Sequence, residues 1–518
     1  MKAVTAAQMR ELDRRAIEGG VPAETLMERA GIAVADAVET AARAATGLAP
    51  ARVVAVAGKG NNGGDAFVAA RALRERGLDA RVLLAAPAGG LTGAAASHFT
   101  RMRACGVPVE EPRALGTLTA QGRWVVIDGI LGTGLSGPVR GAAAAAIDAV
   151  NAAGERHAVI AADIPSGLNA DTGRPEGRAV RADTTVTMGF PKRGLLLPPA
   201  VEFVGALEVA DIGIPGELAA GIPEELELIV PGDTPALWRR RDRAAHKGTY
   251  GHVLLIGGSP GYAGAIAMAA RAAVRSGAGL VSVLTPESLV ATVAALVPEA
   301  MVHGGACTEA GTLASDALTR WGRELSDFDA LVLGPGLGLH RQSTALAERI
   351  LAGSRVPLVV DADALGAFSN RLFLVGRATC PVILTPHPGE LARLLNRGVD
   401  EIQADRFKAA ADAAKVAPKA VVVLKGAGTI VAQAGRPPAV NLTGNPGMAT
   451  GGSGDVLAGL LGGLCAQRHE VRDAARAAVY LHGRAGDLAA RRLSQAALCA
   501  GDLIDALPAA FLEQQPGT

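Results

Sequence analysis

The chain lacks almost everything that would mark a secreted, membrane-bound or nucleic-acid-bound protein. Its five cysteines, Cys105, Cys307, Cys380, Cys465 and Cys499, are far apart and odd in number. They form no C-x-x-C pair and no zinc spacing, which argues against a disulfide framework. The first residues carry no long apolar h-region, so no secretory signal is evident. No run of about 18 uncharged apolar residues reads as a membrane span. Net charge is lacking too, since 51 basic residues face 50 acidic ones. That balance gives no electrostatic footprint for nucleic acid or a membrane surface. The expectation is a cytoplasmic protein with no membrane and no nucleic-acid partner.

Aromatic residues are scarce as well, at 3%, whereas glycine is abundant, at 66 residues. The glycines cluster in short loops directly after apolar runs. Hydrophobic residues make up 49% and charged residues 19%, which excludes global disorder. A length of 518 residues suggests two to four domains at roughly 100–200 residues each. Strands are expected at 53–57, 80–86, 124–127, 158–162, 184–188 and 206–209, alternating with helical spacing. Between 212 and 243 the periodicity fades and Pro215, Pro223 and Pro231 punctuate it, as a domain boundary would. A second series starts at 252–256 and continues near 280–284, 330–333, 358–360, 382–384, 421–424 and 429–432. Continuous apolar strands alternating with helices argue doubly wound, parallel α/β sheets in both halves.

In the first half, Gly58-Lys59-Gly60-Asn61-Asn62-Gly63 matches G-x-G-x-x-G between a strand and a helix. The acid that a dinucleotide fingerprint wants about 20 residues on is missing, so an ordinary dehydrogenase is disfavoured. The distinctive part is Asn61-Asn62-Gly63-Gly64-Asp65. Glycines let backbone amides approach a phosphate, and Asn carbonyls are hard oxygen ligands for a cation. Two further strand ends are polar: Asp128 with the following Gly132-Thr133-Gly134-Leu135-Ser136-Gly137-Pro138, and Asp163-Ile164-Pro165-Ser166-Gly167. In doubly wound sheets ligands bind beyond such strand ends, so three such loops would form one crevice.

These motifs, with Leu26-Met27-Glu28-Arg29-Ala30-Gly31 before them, resemble the NAD(P)H-hydrate epimerase domain. The resemblance covers about 1–225. It implies a Rossmann-like, three-layer domain and a potassium ion on Asn62, Asp128 and Ser166. It also implies that Asn61 to Asp65, Gly132 to Pro138 and Asp163 hold the hydrated dinucleotide. Epimerisation at C6 must break and remake a C–O bond or open the ring, so it needs a proton acceptor and a donor. Asp163, at a strand end facing the crevice, is the candidate acid/base group.

In the second half, Asn445-Pro446-Gly447-Met448-Ala449-Thr450-Gly451-Gly452-Ser453-Gly454-Asp455 leads into helical spacing through Val456, Leu457, Leu460, Leu461 and Leu464. Unblocked amides and the positive dipole end there make an anion site. Asp455 should stay ionised in that field and act as a base toward a hydroxyl near the phosphate. Lys425 ends a strand and offers a point charge to phosphate, with Gly426 and Gly428 keeping the turn open. His387, stiffened between two prolines, is a further candidate.

This half resembles the ribokinase-like superfamily and, more narrowly, the ADP/ATP-dependent NAD(P)H-hydrate dehydratases. The narrower likeness rests on His246-Lys247-Gly248, Gly257-Gly258 with Ala263-Gly264-Ala265, Gly334 to Gly338, Asp361 to Leu365, Thr385 to Glu390 and Lys425 to Thr429. It implies a ribokinase-like α/β domain over 240–518. The adenine nucleotide would lie on Lys425, Gly426, Ala427, Gly428, Thr429 and Gly454, with magnesium and with ADP or ATP as co-substrate. The hydrated nicotinamide would lie near Ala265, Gly336, Gly338, His387 and Asp455. Hydroxide leaves poorly from C6, and phosphoryl transfer turns it into a good leaving group. The two halves together imply repair of hydrated NADH and NADPH, the epimerase supplying the S form that the dehydratase consumes. A homo-oligomer is expected. The rivals are a small-alcohol kinase fused to a binding domain, and a non-catalytic scaffold in the first half.

Overall fold

The computed structural model is described for residues 1–46, 52–111, 114–120, 122–135, 137–223, 225–233 and 241–514. The chain divides into two compact units, Met1–Leu228 and Ile229–Thr518.

In the first unit, β1 (Arg52–Ala57), β2 (Ala80–Leu84), β3 (Val109–Glu110), β4 (Trp124–Gly129), β5 (Ala158–Ala162), β6 (Thr184–Met188) and β7 (Ala206–Ala210) form one sheet. Its order is β3-β2-β1-β4-β5-β6-β7, and every pair is parallel. A two-residue strand, β8 (Glu227–Leu228), ends the unit and bridges back to Lys2. Val53, Ala55 and Ala57 pack with Val34 and Phe67 on one face, while Val54 and Val56 pack with Ile147 and Val150 on the other. Burial on both faces is why these strands read as unbroken apolar runs. Strand order reverses between β1 and β4, which makes a crevice at their carboxyl ends.

In the second unit, β9 (His252–Ile256), β10 (Leu280–Pro286), β11 (Met301–Gly305), β12 (Ala330–Leu333), β13 (Leu358–Val360), β14 (Val382–Leu384), β15 (Ala420–Leu424), β16 (Thr429–Gln433) and β17 (Ala439–Asn441) lie side by side. Their order is β11-β10-β9-β12-β13-β14-β15-β16-β17. Pairing is parallel as far as β15, and β16 and β17 are antiparallel. The short connection from β15 to β16 allows a hairpin but no crossover helix, so the expected parallel sheet ends in an antiparallel edge. Val253 and Leu255 face one core with Leu460, and Leu254 and Ile256 face another with Leu346. The order reverses between β9 and β12. Among the described residues no helix is long and apolar enough to cross a membrane.

Candidate active sites

In the first unit the loops after β1, β4 and β5 are tied together by side chains. The Asn62 amide, at the start of helix Asn61–Glu75, donates to the carbonyl oxygens of Leu131 at 3.0 Å and Ala162 at 2.7 Å. Ser166 donates through Oγ to Asp128 at 2.6 Å and through its backbone amide at 2.7 Å. The Leu131 amide donates to Ser166 Oγ at 2.8 Å. Asn62, Asp128 and Ser166 therefore converge around Leu131. Asp128 is fully buried, and burial pushes its carboxyl up to about 6 against the hydrogen bonds from Ser166 and Ile130.

A second cluster lies in the same unit. Asp163 has a φ of 62°, in the left-handed region that costs a non-glycine residue energy and often marks a functional site. Its Oδ1 accepts from Met188 N at 3.0 Å and Thr187 Oγ1 at 3.3 Å, and forms an ion pair with the fully buried Lys192. Lys192 also donates to Thr187 Oγ1 and the Met188 carbonyl. Asp65 is buried, and burial, aided by the charge on Asp163, holds its carboxyl well above the usual carboxylate range. Burial likewise raises Asp13, on helix Ala6–Glu18, to about 6.

The glycines of the first loop do something other than the sequence suggested. A Cβ on Gly63 would lie 2.0 Å from the Gly58 carbonyl oxygen, and one on Gly64 would lie 2.4 Å from Met27 Sδ. Their missing side chains make room for protein, not for a phosphate. The open part of the loop is Gly60 and Asn61, both exposed. A Cβ on Gly132 would meet Asn62 Oδ1 at 2.5 Å, so Gly132 packs against the helix start. Thr133 and Leu135 are half-buried, and Gly134, Gly137 and Pro138 are exposed. Ser136 lies outside the described residues.

In the second unit, helix Ser453–Ala466 starts after Gly452, whose φ of 93° only glycine adopts cheaply. Its first amides have no partner within the helix. Lys425 follows β15 and pairs with Asp361 at 2.8 Å, with Glu390 at 3.8 Å. A Cβ on Gly454 would lie 3.3 Å from Lys425 Nζ, so the lysine stands over the helix start. Asp455 does not stay simply ionised, as the dipole argument had it. Burial and the charge on Asp361 push it up to about 7, and Lys425 opposes them. The helix dipole loses to desolvation here.

Other candidates take up positions around this centre. Ala265, on helix Ala263–Arg275, touches the Gly336 backbone: a Cβ there would lie 3.3 Å from that of Ala265. Asp363 accepts from the Gly338 amide at 2.9 Å, which fixes the loop after β12. His387 Nδ1 accepts from the amides of Gly389 at 3.0 Å and Glu390 at 3.3 Å, capping helix Pro388–Leu395. Thr429 Oγ1 donates to the Gly426 carbonyl at 3.0 Å and closes the turn around Ala427 and Gly428.

Four contributors escaped the sequence reading. Lys192 and Asp13 complete the first cluster. Arg406, buried on helix Arg406–Val416, donates to the carbonyl oxygens of Ala427, Leu424 and Lys425 and so moulds the 425–429 turn. His482 lies 2.9 Å from the Ser453 carbonyl oxygen through Nε2, and burial pushes it down to about 4, keeping it neutral. Lys192 carried a signal, being a charged residue just past the end of β6 on the same sheet edge. Arg406 and His482 carried none, because each acts on a loop distant in sequence.

Known proteins resemble the chain throughout. A family profile described as NAD(P)H-hydrate dehydratase matches residues 253–509, and one described as YjeF-related protein N-terminus matches 23–194. Over 514 residues the chain is 41% identical to the bifunctional NAD(P)H-hydrate repair enzyme Nnr of Moorella thermoacetica, covering 98% of this chain and 96% of that protein. This chain belongs to the family of bifunctional NAD(P)H-hydrate repair enzymes. The Coxiella burnetii member is 40% identical, over 96% of each chain. A solved ADP/ATP-dependent NAD(P)H-hydrate dehydratase from Bacillus subtilis, crystallised with ATP and Mg2+, is 31% identical, with a TM-score of 0.49 over 57% of this chain and 100% of that one. Membership sets the generic kinase and the inert scaffold aside.

Proposed function

We propose that the first unit interconverts the R and S epimers of hydrated NADH and NADPH, and that the second dehydrates the S form using ADP or ATP. The observation that carries this reading is Asp455, raised to about 7, standing with Lys425 at the open start of helix Ser453–Ala466. A base titrating near neutrality is matched to its task. Asp455 removes the C6 hydroxyl proton as the oxygen takes the phosphoryl group, and Lys425 with the amides of Gly454 and Asp455 stabilises the charge that develops. Phosphate then leaves from C6 and the dihydropyridine is restored. His387 and the Gly336–Gly338 loop orient the nicotinamide, and Lys425 to Thr429 hold the nucleotide.

Magnesium fits this donor set. Asp361, Glu390 and Asp455 act electrostatically on Lys425, and Asp363 acts on Asp455. Among the described residues no three metal-ligating side chains form a cage. Magnesium needs only one or two carboxylates when phosphates complete its shell, and Asp361 is the best-buried of the four. Potassium fits the first unit. Among the described residues the buried Asp128 accepts from the neutral donors of Ser166 and Ile130, and Asn62 uses its amide on two carbonyls, which leaves Oδ1 for a cation. Bound there, potassium would balance the Asp128 charge and brace the three loops.

Mixed-epimer hydrates given with ADP or ATP test the whole reading through recovery of dihydronicotinamide absorbance. Full recovery is expected with wild-type protein. Asp163→Asn should stop short once the S form is spent, and replacing potassium by sodium should slow the second phase alone. No recovery with either nucleotide would reject the dehydratase. Asp163→Asn recovery as complete and fast as wild type would reject Asp163 as the acid/base group.

A further inference from the structure

Epimerisation needs a proton donor as well as an acceptor, and Asp163 can fill only one of these posts at a time. Asp163 is held by an ion pair with Lys192 and accepts from Met188 N and Thr187 Oγ1, which positions it as an acceptor. Asp65 is its opposite. It is the fifth residue of helix Asn61–Glu75 and is only 6% exposed. Among the described residues it has no hydrogen-bond partner, although Asp163, Lys192 and Asp13 all act on it. A buried, unpartnered carboxyl group keeps its proton, because the anion would be stranded. The packed helices Ala23–Thr46 and Gly93–Ala104 bring no cation to relieve it. Their Glu28 and His98 face one another and Arg71 instead. One carboxyl group paired with a cation and a neighbouring one left unpartnered offer an acceptor and a donor within one unit.

We propose that Asp65 is the proton donor of the epimerase site, working with Asp163 on the C6 hemiaminal of the hydrated nicotinamide. This rests on the epimerase reading of the first unit. Asp163 takes the proton of the C6 hydroxyl, and that oxygen becomes a carbonyl oxygen. The C6–N1 bond breaks, its electron pair stays on N1, and Asp65 protonates N1. Rotation about C5–C6 presents the other carbonyl face. N1 then re-attacks C6 and returns its proton to Asp65, while the oxygen recovers its proton from Asp163. Nothing is consumed, and both carboxyl groups return to their starting states. Loss and re-addition of water would instead end each turnover with Asp163 protonated beside Lys192 and Asp65 charged without a partner.

The test uses the full chain without adenine nucleotide, following conversion of one purified NADH-hydrate epimer into the other. Asn has the size of the neutral acid, so Asp65→Asn removes chiefly the proton. Its kcat should fall about 100-fold or more, the scale of a lost general acid, with KM within about threefold of wild type. Asp65→Glu should keep more than about a tenth of the wild-type rate. Wild-type kcat should fall on the alkaline side as the donor loses its proton, and the residual Asp65→Asn rate should lack that limb. A rate within threefold of wild type for Asp65→Asn overturns the proposal and leaves the epimerase reading standing. So does a raised KM at unchanged kcat, which would make Asp65 a binding group only. If Asp65→Asn is unfolded by heat-denaturation criteria, Asp65→Glu decides: a folded but inactive Glu variant overturns the proposal, and an active one with a shifted alkaline limb upholds it. Failure of the wild-type chain to speed interconversion overturns both readings.

Discussion

Both units set a glycine-rich loop between a strand and a helix, with an aspartate in the first turns of that helix, and they use it in opposite ways. In the first unit a Cβ on Gly63 or Gly64 would run into Gly58 or Met27, and the buried Asp65 follows them in the chain. In the second, nothing lies within 4 Å of where a Cβ on Gly451 would sit, and Gly454 faces Lys425. Gly60 of the first loop is open and Gly452 of the second meets Met268, so the contrast lies at the glycines just inside each helix start, packed in the first unit and clear beside Lys425 in the second, where the anion site is proposed.

The sharpest way to break this comparison is to remove each aspartate's chemistry separately. Asp455→Asn keeps the size and polarity at the open helix start but cannot take a proton. Dehydration should fall about 10³-fold or more, as expected when base and charge stabilisation are both disturbed. Epimerisation by the same protein should be unchanged. A loss of both activities would mean that the two sites are not independent.

Lys192 tests the closed site in the same way. Lys192→Met leaves Asp163 buried without its cation, which should cost about 3–5 kcal/mol of stability, the usual penalty for breaking a buried pair. Epimerisation should fall about 100-fold because Asp163 loses the partner that positions it. The expected signature is a lowered unfolding temperature with dehydratase turnover retained at low temperature.

The pH dependence of the two sites should diverge. As the proposed base Asp455 would have to be unprotonated, and its carboxyl is pushed up to about 7. The dehydratase kcat/KM should therefore rise with pH below that value and level off above it, falling about tenfold per unit on the acid side. Asp455→Asn should abolish the limb. A flat profile from pH 5 to 8 would remove Asp455 as the base.

The strand and loop alternation was legible because the sheets are buried on both faces, so their strands are continuous apolar runs. The edge strands β3 and β11, the latter with its run Met301-Val302-His303-Gly304-Gly305, were not, since edge strands carry little apolar signal, and β17 was not because it has three residues only. The placement of Asn62, Asp128, Asp163, Ser166, Lys425, Gly454 and Asp455 in loops after strands or at helix starts was legible from the apolar runs beside them. Arg406 was not, because a buried arginine on a helix looks like any surface arginine until its carbonyl partners are known. Arg406→Met should loosen the 425–429 turn and raise the nucleotide KM about tenfold, the worth of a charge-assisted hydrogen bond, with little change in kcat.

His387 should give the smallest effect, and it separates two roles carried by one ring. Nδ1 is committed to the amides of Gly389 and Glu390, while about half of the side chain is exposed. Nε2 lies 3.5 Å from Glu390 Oε1, so a ligand at that exposed edge shares the nitrogen with Glu390. Asn can supply the capping oxygen but cannot reach as far as Nε2. His387→Asn should therefore keep the unfolding temperature of the wild type, whereas His387→Ala should lose about 1 kcal/mol, the value of a helix cap. Both variants should raise the hydrate KM about threefold to tenfold if the Nε2 edge touches the nicotinamide amide, as a neutral hydrogen bond would require. A His387→Asn protein with unchanged KM would reduce this residue to a cap, and would leave Ala265, the Gly336–Gly338 loop and Asp455 to orient the substrate alone.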